Sequence, residues 1–314
     1  MLNQDKIDYI SFVKDNKERV PLYFHPAWLN AVCGNLWIAL VYKNKSNIVE
    51  AIMPLPYKKK FGKVVFVMPK QTQFLGVWFD LNENVLNHKR FSFEQKVIDY
   101  FIKRIPKFLM FKIRFSPDFI NSQPFNWSGF KQTNQYTYQL RNITNHVELF
   151  ESFKNTLRSD IRKAEKIVKI EETEDIKTFY EINRLTFKRQ GVDIKYSFEL
   201  VNKIDEYLKK IDRRKILIAK DNKGNIHAVL YMIFDKDIAY YLWGGANPEF
   251  RSSQAQNYLL WEAIKLASER VSVFDFEGSM IQNVALVYRK FNSIITPYYR
   301  ISKVNNLLLK IREA

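Results

Sequence analysis

Cysteine is almost absent from this sequence: among 314 residues there is one, Cys33. A single thiol excludes any intrachain disulfide and fits a reducing compartment. Histidine is scarce as well, and His25, His88, His146 and His227 are scattered without metal-ligand spacing to one another or to Cys33. Glycine occurs only nine times, and none of the P-loop, G-x-G-x-x-G or G-x-S-x-G motifs is present. No apolar run approaches the ~20 residues that span a bilayer, and the opening "MLNQDKIDYISF" has no apolar signal core. Together these absences predict a soluble cytoplasmic protein with no metal and no integral membrane span. They leave the oligomeric state open.

Acidic residues are also in deficit, 33 against 50 lysines and arginines, for a net charge of +17. A field of that sign concentrates anionic partners and speeds their arrival. Nucleic acid, phosphorylated small molecules and anionic lipid headgroups all qualify. With 46% hydrophobic residues the chain has globular composition and length for two ordinary domains.

What is present is a repeat. Residues 38–55, "IALVYKNKSNIVEAIMPL", align at a constant offset of 178 with residues 216–233, "ILIAKDNKGNIHAVLYMI". Both read as strand, polar turn and strand, with "NKSN" and "NKGN" followed by Ile48 and Ile226, a hairpin signal. After the first hairpin come the apolar stretches "KVVFVMP" and "FLGVWF", a helix at about residues 89–104 and the strand "FLMFKIRF". After the second come "DIAYYLWGGA", a helix from Gln254 to Glu269 and the strand "VSVFDFE". The matching order predicts two related α/β domains, residues 1–145 and 146–314, the second with a helical insertion at about residues 150–210.

In that insertion Leu157, Ile161, Ala164 and Val168 share one helix face, with Arg158, Arg162 and Lys166 as an adjacent basic stripe. "DIKTFYEINRLTFKRQG" predicts a helix closed by Gly191, and "SFELVNKIDEYLKKI" another with Ser197 as N-cap. The chain then reads as the strand "SIITPYYRIS" and an amphipathic helix "VNNLLLKIRE".

Hairpin, glycine-ended strand, helix and strand is the core order of the GNAT fold. The stretches "LRSDIRKAEK", "FYEINRLTFKRQG", "AYYLWGGA" and "FDFEGS", over residues 150–300, resemble the FemAB-like acyltransferases. That resemblance implies α/β architecture (α+β by some schemes): two tandem GNAT-like domains, each a mixed, mostly antiparallel sheet flanked by helices. It implies transfer of an acyl or aminoacyl group onto an amine of a cell-envelope precursor, peptidoglycan or polysaccharide, with acyl-CoA or aminoacyl-tRNA as donor and no metal. A contrasting expectation is a non-catalytic protein that binds an anionic glycan or nucleic acid on a degenerate GNAT scaffold.

In GNAT proteins the CoA pyrophosphate rests on backbone N–H groups at the helix start after the central strand. Here that start reads "RSSQAQ": Arg251 matches, but Gln254 and Gln256 stand where the family has glycine. Ser252 and Ser253 offer capping hydroxyls. The segment is thus a structural cap, a CoA site or a site for another anion. Against a tRNA donor stands the absence of a sustained heptad arm.

Transfer to an amine needs a proton path, donors for an oxyanion, and positioning. Strand alternation puts Asp275 on the face of Val271 and Val273, with Glu277 next in line. Asp275 is then a base for the amine, or a cap for the "EGS" turn. In "YYLWGGA" alternation puts Tyr241 and Trp243 on one face and Tyr240 and Leu242 on the other. Tyr241 is a candidate proton donor unless it serves only in packing, and Gly244 and Gly245 are candidate backbone donors. Arg158, Arg162 and Lys166 suit a substrate diphosphate, or simply face solvent. "VYRKFNSI" resembles the family's Phe-Lys-x-x-Phe stretch, with Tyr288 at the lysine position and Arg289 and Lys290 beside it as anion-binding candidates.

Overall fold

The computed structural model describes residues 4–305 apart from 82–84, 190, 192, 195 and 279. The expected helix "VNNLLLKIRE" lies almost wholly outside the described residues. The chain forms two compact units, Met1–Gln135 with Pro297–Ala314, and Tyr136–Thr296. The division differs from a cut at residue 145, because one strand runs out of the first unit and another returns to it from near the end of the sequence.

The first unit begins with α1 (Gln4–Asp15) and α2 (Pro26–Cys33). The hairpin β1 (Trp37–Lys43) and β2 (Val49–Lys60) follows, then β3 (Lys63–Val67), β4 (Trp78–Phe79), α3 (Asn87–Arg104) and β5 (Met110–Arg114). Of "FLGVWF" only Trp78 and Phe79 are strand, paired to β2; Leu75 instead bridges to Phe115. After α4 (Gln123–Trp127) comes β6 (Lys131–Arg141), which carries the chain into the second unit. The sheet of the first unit runs β1, β2, β3, β5 and then β12 (Ile294–Val304). β3 and β5 are parallel and joined through α3, while β12 is antiparallel to β5.

The second unit continues with α5 (His146–Ser152), α6 (Asn155–Glu165), β7 (Lys169–Glu172), α7 (Ile176–Arg189) and α8 (Phe198–Lys210). Then come β8 (Arg214–Lys220), β9 (Ile226–Asp235), β10 (Ile238–Ala246), α9 (Ala255–Ala267), β11 (Val273–Asp275) and α10 (Gln282–Tyr288). Its sheet order is β7, β8, β9, β10, β11, β6, antiparallel except for the β10–β11 pair. The topology β1-β2-β3-α3-β5 therefore recurs as β8-β9-β10-α9-β11, as the internal repeat predicts. Both are mixed, mostly antiparallel sheets with helices.

Local chemistry accounts for the helices that matter to the site. Leu157, Ile161 and Ala164 of α6 are buried at helical spacing, and Val168 is buried just beyond its end. Leu259, Leu260, Ala263, Ile264 and Ala267 of α9 pack into the same core. Ser197 caps α8 by accepting from the Leu200 N–H. β9 is buried along nearly its whole length, as a central strand covered on both faces must be. α9 starts one residue later than the sequence suggests and is preceded by a 3-10 turn, Pro248–Ser253.

Candidate active site

β10 and β11 run side by side only from Ile238/Val273 to Tyr240/Asp275. Beyond that pair β10 continues to Ala246 while β11 has ended, so one edge of β10 is left unpaired by β11. A bulge falls between Tyr241 and Trp243: Tyr241 opposes Met232, Trp243 opposes Tyr231, and Leu242 is the extra residue. This corrects the simple alternation. Tyr241 packs against the core that holds Met232, Leu259 and Trp261. Trp243 lies on the opposite face, stacked on Tyr196 and edge-on to Tyr231.

The two glycines then have different roles. The Asn247 N–H bonds the His227 carbonyl at 2.8 Å, which sets the phase of the antiparallel ladder. The N–H of Gly245 points to β9, and those of Gly244 and Ala246 point away from it. Thr186 Oγ1 takes the Ala246 N–H at 3.0 Å, and Asn183 Nδ2 donates to the Gly244 carbonyl at 2.7 Å. The Gly244 N–H is left directed at the open edge, and among the described residues no hydrogen bond occupies it. Gly245 instead serves close packing, since a Cβ there would sit 2.7 Å from Thr186 Oγ1.

Tyr241 comes to the same place. A Cβ on Gly244 would collide with the Tyr241 hydroxyl, so only glycine lets that ring lie across the strand. Gln256 Nε2 donates to the Tyr241 oxygen at 3.2 Å, leaving the phenol proton to be given elsewhere. Burial holds the Tyr241 hydroxyl above its ordinary pKa, so at neutral pH it keeps its proton. Tyr288, at the position where the family pattern has lysine, meets Tyr241 edge-on at 6.5 Å and stacks on Phe276 at 4.7 Å. Its pKa is likewise raised well above normal, by burial and then by Tyr241 and Glu277.

Asp275 lies fully buried beneath these groups. It accepts from Thr137 Oγ1, from Gln139 Nε2 at 2.9 Å and from the Glu277 N–H at 2.7 Å. Burial raises its pKa to about 6, against the lowering effect of those three donors. Asp275 therefore ties β11 to β6 and closes the turn after it. Glu277 does not continue the Asp275 face: the strand ends at Asp275, and Glu277 has φ +54°, which breaks alternation.

The start of α9 does not fit a CoA pyrophosphate. Gln254 sits at φ +59°, a conformation glycine adopts at less cost, and its carbonyl accepts the Asn257 N–H. Ser253 spends its hydroxyl within the turn, donating to the Phe250 carbonyl and accepting the Ala255 N–H. Ser252 and Arg251 are exposed on the 3-10 turn. The Gln256 side chain is turned toward Tyr241. Asp160 Oδ2 accepts from Asn257 Nδ2 in the first turn of α9, which puts a carboxylate beside this helix start and disfavours an anion there.

The basic stripe is divided. Arg158 and Arg162 line a groove of about 430 Å³ between α5, α6 and α9, together with Phe150 and Trp261. Glu151, Glu165 and Glu262 line it too, so it is not a purely cationic site. Arg162 lies over the Phe150 ring, and Lys166 stands exposed at the end of α6. Arg289 and Lys290 form a 3-10 turn after α10, and the Lys290 carbonyl accepts the Lys154 N–H.

Sequence reading missed Asn183, Thr186, Thr137 and Gln139, and took Gln256 only as a replaced glycine. The signal for the first two was there: Asn183 and Thr186 are polar residues three apart on the helix face of Phe179. Tyr196 donates to Asn183 Oδ1 at 2.6 Å and so orients its amide. Among the described residues no group of histidine, cysteine and carboxylate side chains suits a metal, and no helix is long and apolar enough to cross a membrane.

Residues 151–280 match the family described as Acetyltransferase (GNAT) domain. Among solved structures, FemX aligns over 94% of this chain and 95% of its own, with a TM-score of 0.69 at 16% identity. The C-terminal domain assigned to a lysylphosphatidylglycerol synthetase from Agrobacterium fabrum covers 96% of this chain and 93% of its own, with TM-score 0.55 and 11% identity. L-PGS from Bacillus licheniformis covers 98% and 95%, with TM-score 0.55 and 10% identity. No curated protein matches the sequence. Residues 151–280 thus match the GNAT acetyltransferase domain, and the chain as a whole shares the fold of FemX, two tandem GNAT-like units.

Proposed function

We propose that the chain transfers an acyl or aminoacyl group onto an amine of a cell-envelope precursor. The observation that carries this is the meeting of the outward Gly244 N–H with the Tyr241 hydroxyl at the open edge of β10. Attack of the amine on an ester carbonyl forms the C–N bond and an oxyanion, which the Gly244 N–H receives. As the C–O bond breaks, Tyr241 gives its proton to the leaving oxygen, and the proton lost by the amine restores it. Asp275 is fully buried and acts by holding the turn beneath, while Glu277 shapes the field around Tyr288.

The glycine-poor start of α9, with Asp160 beside it, favours a donor that is not anchored there by a diphosphate, which makes aminoacyl-tRNA the first donor to test. The names of the structural neighbours, FemX and lysylphosphatidylglycerol synthetase, point toward envelope components as acceptors. Arg158 and Arg162, set among carboxylates, suit a part of the acceptor bearing both charges. The test is transfer of a labelled amino acid from charged tRNA, and of an acyl group from acyl-CoA, to nucleotide-linked and lipid-linked muropeptide. Transfer that is lost in Tyr241→Phe supports the reading. No transfer from either donor, with salt-sensitive anion binding retained, replaces it with a non-catalytic binding protein.

A further inference from the structure

The hairpin between β2 and β3 has a feature that the transfer site does not use. Its tip reads "KKKFGK", residues 58–63. The ladder closes at Lys60/Lys63, and the pairing beside β2 ends at Tyr57, whose N–H bonds the Leu36 carbonyl. Pairing on the other side, along β3, begins at Val64. Lys58–Lys63 is therefore a two-stranded finger that extends beyond its neighbouring strands.

Phe61 and Gly62 form the turn, both with positive φ, +51° and +70°. Hairpin turns of this kind favour Asn-Gly, because asparagine and glycine tolerate the left-handed region. A bulky aromatic residue there is an outlier. Phe61 is 84% exposed, so burial within the chain does not compensate the strain. Lys58, Lys59, Lys60 and Lys63 are exposed around it, and Lys60 Nζ lies 5.5 Å from the ring centre. Between Glu50 and Asp80 the sequence has no acidic residue. Lys107 adds to the same end of the sheet, two residues before Leu109, whose N–H bonds the Val64 carbonyl.

We propose that the Lys58–Lys63 finger docks the protein on an anionic lipid surface. The ring at the apex enters the boundary between headgroups and acyl chains, and the lysines set behind it meet lipid phosphates. An apolar apex with a cationic collar matches the layering of a bilayer surface in both chemistry and order. Strain and exposure that serve nothing in the isolated fold are then repaid by the membrane. The inference rests on residues of the first unit alone and is independent of the transfer reading.

The test is co-sedimentation of the full chain with vesicles of mixed phosphatidylglycerol and phosphatidylcholine, and with phosphatidylcholine alone. Binding is expected to the mixed vesicles and to be much weaker to the neutral ones. Phe61→Asn is expected to weaken binding by about tenfold, from the loss of one buried aromatic side chain. The same variant should melt at a higher temperature, because asparagine suits the turn. Replacing Lys58, Lys59 and Lys60 with glutamine should weaken binding by roughly a hundredfold, at about a factor of five for each charge. Equal binding to neutral vesicles, or unchanged binding by Phe61→Asn, overturns the proposal. So does a lower melting temperature for Phe61→Asn, which would make the ring a structural element. Finger-dependent binding to tRNA without binding to vesicles would overturn it in favour of nucleic acid. Because no acyl donor is present, the outcome is read apart from catalysis.

Discussion

Asp275 shows how a residue chosen for its chemistry can be held for its geometry. Its carboxylate meets three donors in a fully buried site, yet burial still lifts its pKa to about 6. The folded state thus binds a proton more readily than the unfolded chain. Its contribution to stability is complete below the ordinary carboxyl value of 3.8 and is lost as pH rises through about 6. Melting temperature should accordingly fall between pH 4 and pH 7, and Asp275→Asn should flatten that slope, as a pH series of thermal melts would show. Tyr241 makes a different prediction. On the proposed mechanism, removing its hydroxyl in Tyr241→Phe takes away the proton for the leaving group, and general acid catalysis is worth roughly 10²–10⁴-fold. The loss should appear in kcat with KM little changed. If KM rises and kcat holds, the hydroxyl binds substrate and does not donate.

At the level of elements, α7 holds β10 in register with the site through two residues. Asn183 grips the Gly244 carbonyl, and Thr186 grips both polar groups of Ala246. Asn183→Ala would leave the half-buried Gly244 carbonyl and the buried Tyr196 hydroxyl without this partner, at a cost of about 1–3 kcal/mol for the buried group and less for the other. A denaturant melt should report that loss, and any transfer activity should fall further than stability explains. Much of this architecture was legible in advance, because the β1–β2 and β8–β9 hairpins and the α6 face are written in short-range periodicity. The α6 residues Leu157, Ile161 and Ala164 are buried as their spacing demands. The site was less legible because it depends on breaks in periodicity. One extra residue, Leu242, sends Tyr241 and Trp243 to opposite faces. A positive φ at Glu277 takes it off the Asp275 face. The Gln256–Tyr241 bond joins a helix to a strand across a turn, and no local spacing encodes such a pairing.

For the molecule as a whole, a net charge of +17 predicts that capture of any anionic partner slows as salt rises, since exposed charges are screened beyond ~10 Å at 0.1 M. Stopped-flow association with vesicles or tRNA at two ionic strengths would measure it, and a salt-independent rate would show that the excess charge does not steer binding. The path of β12 has a separate consequence. Its residues from Pro297 onward belong to the first unit and pair with β5, Arg300 opposite Arg114. Domains usually complete in the order in which they leave the ribosome, N-terminal first. Here Tyr136–Ser293 emerges before β12, the strand that closes the unit begun at the N-terminus. The second unit can mature first, while the first waits with the edge of β5 unpaired, an exposed template for wrong strand pairing until β12 is synthesised.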